Sequence, residues 1–302
     1  KQTTGDKVEF QVGLCQPYLM EKWKGGNAGI HKDTLKRQTR FLGLMNPDLI
    51  VWPEASTPYA LNQDSAWVEE LSSQTQTPLL IGAVWKGGGS IHNTISEVLP
   101  ETGVQDNWYA KRVLVPFGEY VPFPFKWIPG VRKLVGPVGS FKEGNEVKTF
   151  SVHSKKNEGS TLKIGPLICY EDIFPRLCRE TALAGVDLFF VTTNDAWFGR
   201  EGCAEQHAAH SVLRAIETQR PFLRCGNAGW SGWIDSNGYQ REVLRNEEGS
   251  IYFEGATTLS ITITPNQFSK ASFYVRYGDW FAYVCLFITL ASLPFAFRKK
   301  EN

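Results

Sequence analysis

An apolar strand that stops on a nucleophile constrains this chain more than any other feature. Leu162 to Glu171, LKIGPLICYE, runs through Leu, Ile, Gly and Pro into the Cys169 thiol, with a carboxylate two residues on. Packing alone gives no reason for a thiol followed by Tyr-Glu at the tip of such a run, and strand ends in α/β proteins are where sites are built on rigid scaffold. Cys169 is thus a candidate nucleophile, although cysteine also serves as a small buried hydrophobe. Two other segments share this grammar. Asp48 to Glu54, DLIVWPE, ends an apolar strand on a carboxylate, and Asn107 to Glu119, NWYAKRVLVPFGE, sets Lys111 among apolar residues before Glu119.

These three residue types form a chemical set. A thiol with an ordinary pKa of ~8.5 is mostly protonated at neutral pH and needs a base. A carboxylate can take that proton and return it to a leaving group. An ammonium, with a backbone N–H beside the nucleophile, can stabilise the oxyanion of a tetrahedral intermediate. Taken singly, Glu54 and Lys111 read as solvated charges or salt-bridge partners; three such groups at strand ends read as a site.

The motifs WPE, KRVLVPFGEYVP, CYED and TNDAWFG resemble the nitrilase superfamily of carbon–nitrogen hydrolases. VPFGEYVP at 115–122, TNDAWFG at 193–199, RAIETQRP at 214–221 and YVRYGDW at 274–280 are similar to its apolipoprotein N-acyltransferase branch. The resemblance runs from Val8 to the C-terminus. It implies Glu54 as general base, Lys111 as oxyanion stabiliser and Cys169 as nucleophile, with Glu119, Tyr170 and Glu171 in support. It implies an α-β-β-α sandwich and a ping-pong transfer with no metal or organic cofactor. The acyl donor would be a phospholipid, and the acceptor the N-terminal amine of a diacylglyceryl-modified lipoprotein. An amidase or nitrilase with water as acceptor, or a non-enzymatic binding protein on the same scaffold, are the rival readings. The chain departs from the branch at NAGWSGWID, 227–235, where Trp230 and Trp233 are bulkier than usual, and at REGCAEQH, where Cys203 has no assigned role.

Strand-like runs separated by helix-length segments predict α/β architecture with helices outside the sheets. Strands are expected at 8–17, 78–85, 92–99, 107–115 and 186–195, with helices at 31–46, near 65–74, 175–184 and 203–220. The hydrophobic content of 42% supports a substantial core. A net charge of +1 and the absence of a basic stripe argue against nucleic acid. Six cysteines are too sparse for a disulfide scaffold; whether Cys178, Cys203 and Cys225 pair is left open. No Cys/His spacing suits zinc, and His207 and His210 read as surface or core residues.

The predicted organisation is a polar linker at 1–7, a catalytic domain at 8–272, a transmembrane helix at 279–298 and a cytoplasmic tail at 299–302. Residues 280–297 carry no charge, have Trp280 and Tyr283 at one end, and run into Arg298, Lys299 and Lys300 at the other. Eighteen residues at ~1.5 Å each approach a bilayer core of ~30 Å; a buried C-terminal helix is the other reading. Positive-inside bias would leave the globular part on the outer side of a bacterial inner membrane. Lacking an initiating Met, the chain reads as a processed or excised region, and the resemblance implies further membrane helices upstream. A monomer is expected. In the Pro- and Gly-rich loop 117–141, Phe123, Phe125 and Trp127 with basic neighbours suit either a lipid interface or a packed surface. Trp23, in the glycine-rich EKWKGG, stands where the resemblance implies a flexible arm over the site.

Overall fold

The structure, a computed structural model, describes residues 7–19, 27–128, 130, 141–200, 202–264 and 271–298. The first half runs β1 (Val8–Gln16), α1 (Ala28–Gly43), β2 (Leu49–Trp52), α2 (Ala66–Thr75), β3 (Leu79–Gly87), β4 (Ser90–Leu99) and β5 (Gly103–Ala110). The second runs β6 (Phe150–His153), β7 (Thr161–Ile168), α3 (Pro175–Leu183), β8 (Leu188–Thr193), α4 (Cys203–Thr218), β9 (Phe222–Gly226), β10 (Gly232–Ile234), β11 (Gln240–Val243) and β12 (Gly255–Ile263). Two further helices follow, α5 (Phe273–Tyr277) and α6 (Trp280–Arg298).

Among the described residues these strands form two six-stranded sheets, β12-β1-β2-β3-β4-β5 and β11-β10-β9-β8-β7-β6. Each has a parallel centre, β1–β2–β3 and β7–β8–β9, flanked by antiparallel strands. Parallel strands require crossovers, and the helical segments supply them. Side-chain alternation then sorts the core. On β2, Leu49 and Val51 join Phe10, Leu80, Phe190 and Leu223 between the sheets. Ile50 and Trp52 face the other way, against Leu35 and Leu42 of α1 and Trp67 and Leu71 of α2. Leu167, Phe189 and Phe222 do the same on the second sheet, against Leu177 of α3 and Ala208 and Ala215 of α4. The result is the α-β-β-α sandwich that the resemblance implied.

The two bulky departures are absorbed by this core. Trp230 is buried beneath α3 and α4. Trp233 sits between the sheets and donates its indole N–H to Glu242 at 3.1 Å. The strand expected over 107–115 stops at Ala110. The reason is local: the N–H groups of Arg112 and Val113 go to the Glu171 carboxylate at 2.5 and 3.1 Å, which turns the chain out of the sheet just after Lys111. β6 and β11, four residues each, are too short for the alternation to have flagged them.

α5 docks on the sandwich: Arg179 of α3 donates to the Val275 and Arg276 carbonyls at 2.7 and 3.2 Å, and Ser272 donates to Glu217 O at 2.6 Å. α6 leaves that anchor with Phe281, Tyr283, Phe287, Ile288 and Phe295 all exposed, so it is not the buried helix of the alternative reading. Its side chains are described as far as Phe295. Among the described residues no helix is long and apolar enough to cross a membrane, so the expected span at 279–298 is not met there. The linker expected at 1–7, apart from Lys7, and the tail at 299–302 lie outside the described residues.

Gly82 of β3 shows how closely the two sheets approach beside Glu54. A Cβ on it would meet the Pro53 carbonyl oxygen, and would lie 2.7 Å from both Glu54 Cα and Thr192 Oγ1. Gly82→Ala should therefore destabilise the fold by about 2 kcal/mol, as overpacked cores do. Urea unfolding of the variant beside the parent chain measures this; equal midpoints would show that the gap can open.

Candidate active site

The three strand-end residues converge. Glu54 follows β2, Lys111 follows β5 and Cys169 follows β7, so two come from one sheet and the third from the other. Lys111 is 1% exposed and Glu54 7%. The Lys111 ammonium donates to Glu119 Oε1 at 3.0 Å and to Glu54 Oε1 at 3.4 Å. Asn93 of β4 donates its amide to the same two carboxylates, at 2.8 Å to Glu54 and 3.0 Å to Glu119. Burial by itself would lower the lysine pKa, but the charges of Glu54 and Glu119 outweigh it and hold the ammonium firmly protonated.

Cys169 has φ +50°, a left-handed conformation that a non-glycine residue adopts at a cost. It opens a short 3-10 turn, Cys169–Ile173, and the strained geometry turns its side chain off the strand end. Burial pushes the thiol well above its ordinary range, the Glu54 charge adds to this, and Lys111 and a hydrogen bond with Thr193 act the other way. The resting group is a thiol, so it needs a base, and Glu54 is the carboxylate whose charge acts on it most.

Glu171 supports both halves of the site. It is fully buried, and its Oε2 accepts from the Ile168 N–H at 2.7 Å and the Tyr109 hydroxyl at 2.8 Å. Its Oε1 takes the Arg112 and Val113 N–H groups. Burial raises its pKa and the backbone hydrogen bonds oppose that. Glu119 is the root of the aromatic loop: Oε2 accepts from Val115 N at 2.8 Å, and its carbonyl accepts from Phe141 N at 2.9 Å. Tyr170 turns its ring onto Phe174, 5.0 Å between centroids. In the loop, Phe123 meets Trp127 edge-to-face at 5.0 Å and Phe117 meets Phe125 at 5.5 Å. Phe123 and Trp127 are 67% and 70% exposed and Phe125 44%; residues 129 and 131–140 of the loop lie outside the described residues. Trp23 lies outside the described residues.

Sequence reasoning missed Asn93 and His207. Asn93 sits mid-strand in SIHNTISEVL, with no local mark beyond a polar residue facing inward. His207, read as a surface or core residue, lies beneath the nucleophile. Its Nδ1 is 2.9 Å from Asp195 Oδ1, and its Nε2 is 3.0 Å from Asp172 Oδ1 and 3.2 Å from the Cys169 carbonyl oxygen. Burial and Arg224 push its pKa down, but Asp172 and Asp195 prevail and lift it to about 9. For Asp172, burial works upward while Arg224 and His207 bring it down to about 2.

A histidine whose pKa is raised on folding stabilises the fold fully below its unfolded value of ~6.5, and that contribution disappears as pH rises through about 9. The contribution is on the order of 3 kcal/mol. In urea unfolding, the stability advantage of the parent chain over His207→Gln should therefore shrink on going from neutral to strongly alkaline pH. A difference that stays constant would remove His207 as the cause.

The comparisons with known proteins bear on the family and the fold. The carbon–nitrogen hydrolase family pattern matches residues 13–259. A curated relative from Geobacter metallireducens named apolipoprotein N-acyltransferase is 33% identical over 97% of this chain and 54% of its own length. Relatives of the same name from Chlorobaculum tepidum and Haemophilus influenzae are 29% and 30% identical over 98% and 84% of the chain, and 58% and 48% of their own lengths. The chain spans about half the length of the curated relatives it matches. Among solved structures, a carbon–nitrogen hydrolase superfamily protein from Xanthomonas campestris superposes with TM-score 0.60 at 18% identity, over 87% of this chain and 93% of that one. The C. elegans NitFhit protein does so with TM-score 0.62 at 16% identity, over 84% and 60%. These structural likenesses bear on the fold, a nitrilase-like sandwich; by the pattern that covers most of its length, the chain belongs to the carbon–nitrogen hydrolase family.

Proposed function

We propose that this chain is the catalytic part of an apolipoprotein N-acyltransferase of a bacterial inner membrane, acting on its outer side. The observation that carries the reading is the exposed aromatic loop rooted on Glu119, the same carboxylate that holds Lys111. A small amide in water has no use for Phe123, Phe125 and Trp127 at the rim; a phospholipid does. The likeness in sequence to relatives of that name over nearly the whole chain supports it. The apolar side chains that α6 exposes suit contact with a membrane surface.

Glu54 takes the proton from the Cys169 thiol as sulfur attacks the ester carbonyl of the phospholipid. The tetrahedral oxyanion is stabilised by the Lys111 ammonium and the N–H of Tyr170. Its collapse expels the lysophospholipid alkoxide, which receives the proton from Glu54, and leaves a thioester on Cys169. The neutral N-terminal amine of the diacylglyceryl-cysteine then attacks the thioester. Glu54 takes a proton from nitrogen and returns it to the Cys169 sulfur as the amide forms. Two transfers through a thioester replace one difficult ester-to-amide exchange.

Intact mass after incubation with phospholipid should show an acyl adduct that Cys169→Ala abolishes while circular dichroism stays unchanged; an adduct surviving that substitution would sink the assignment. Lys111→Ala, which removes an oxyanion donor, and Glu54→Gln, which removes the base, should each slow acylation by about two orders of magnitude or more. Replacing Phe123, Phe125 and Trp127 together by Ser should slow acylation by phospholipid vesicles, yet leave alkylation of Cys169 by a small soluble reagent near the parent rate. Equal losses in both reactions would make the loop part of the folded core instead.

A further inference from the structure

Among the described residues, both ring nitrogens of His207 face acceptors. Asp195 Oδ1 faces Nδ1, while Asp172 Oδ1 and the Cys169 carbonyl face Nε2. A neutral imidazole carries one N–H and would leave one of its nitrogens lone pair to lone pair with a carboxylate; the imidazolium satisfies both sides. Each partner also reaches the nucleophile by a second route. Asp172 belongs to the same 3-10 turn as Cys169, and its other oxygen is held by Ser211 at 2.6 Å and by Arg224. Asp195 Oδ1 accepts from Thr193 Oγ1 at 3.1 Å, and the Thr193 hydroxyl in turn is a hydrogen-bond partner of the Cys169 thiol. A hydroxyl has one proton. While sulfur is protonated, Thr193 can give it to Asp195; once sulfur is ionised, Thr193 can swing it to the thiolate, provided the imidazolium is there to keep Asp195 satisfied.

We propose that His207 is a positioning residue for the nucleophile. As an imidazolium it fixes the strained Cys169 elbow through the Cys169 carbonyl, and it frees the Thr193 hydroxyl to stabilise the thiolate. The inference rests on Cys169 being the nucleophile, as in the function proposed above. The charged and titratable groups around the ring are Asp172 from the Cys169 turn, Asp195 from the turn after β8 and Arg224 from β9. Cys203 at the start of α4 and Tyr252 lie near enough to Asp195 for its charge to add to the burial that raises their pKa values, so both stay neutral beside the cluster. With Asp172, Asp195, Arg224 and His207 all ionised, the cluster is neutral; without the proton on His207 it is a net anion beneath the sulfur and opposes thiolate formation.

The test is the rate of Cys169 alkylation by iodoacetamide across pH, followed by intact mass, with the Cys169→Ala chain as background. At neutral pH the parent should react roughly ten-fold or more faster than His207→Gln. That advantage should collapse toward unity as pH rises through about 9, because the neutral imidazole then offers no more than the glutamine amide. A ratio near one at neutral pH, or a large ratio that does not change with pH, would overturn the proposal; the second outcome is what a merely structural histidine gives. Asp195→Asn serves if His207→Gln fails to fold. It keeps the imidazole and removes one of its carboxylates, so His207 should lose its proton at lower pH and the rise of alkylation rate with pH should flatten earlier than in the parent; an unchanged pH dependence overturns the proposal equally. Iodoacetamide needs no acyl donor, so failure here is distinguishable from failure of phospholipid to acylate the chain.

Discussion

One buried carboxylate connects the two sheets at the point where chemistry is expected. Glu171 accepts the Arg112 and Val113 N–H groups beside Lys111, the Ile168 N–H beside Cys169, and the Tyr109 hydroxyl of β5. Fully removed from water, such a group is costly unless each oxygen is satisfied. Here the satisfaction requires both strand ends to be in place at once. The ammonium and the thiol owe their relative placement to this side chain, which stands between them and takes no proton in the proposed reaction.

The sequence disclosed the site where chemistry and local pattern coincide. Glu54 and Cys169 each end an apolar run, and Lys111 is a cation in apolar surroundings. The sandwich was legible in the same way, because β2, β7 and β8 are buried on both faces and read as near-continuous hydrophobic runs. What stayed hidden depends on partners distant in the chain. His207 lies 38 residues from the carbonyl it touches and 35 from Asp172. Asn93 meets Glu54 and Glu119 from 39 and 26 residues away. Nothing in a helical EQH or a strand HNT distinguishes such residues from polar ones facing solvent. Trp230 and Trp233, the two bulky departures, fill core.

Beneath the site, charge is balanced rather than excluded. Arg224 and Asp172 are both fully buried, with His207 and Asp195 around them. Removing one member of such a set leaves the remainder uncompensated in a low-dielectric setting, which costs more than the set as a whole contributes. The cluster is therefore better understood as a specification of geometry than as a source of stability. It allows one arrangement of α4 against the Cys169 turn and the turn that begins at Asp195.

Glu119 has a mechanical consequence. One oxygen is shared by the Lys111 ammonium and the Asn93 amide, the other holds Val115 N, and its carbonyl holds Phe141 N at the far end of the aromatic loop. Both roots of the loop thus hang on the residue that sets the electrostatic surroundings of the ammonium. Any displacement that draws Glu119 outward removes an anion from Lys111 and leaves the ammonium more strongly electrophilic toward a carbonyl oxygen. In the function proposed above, arrival of a lipid at the rim and readiness of the interior to receive negative charge would be two readings of one lever.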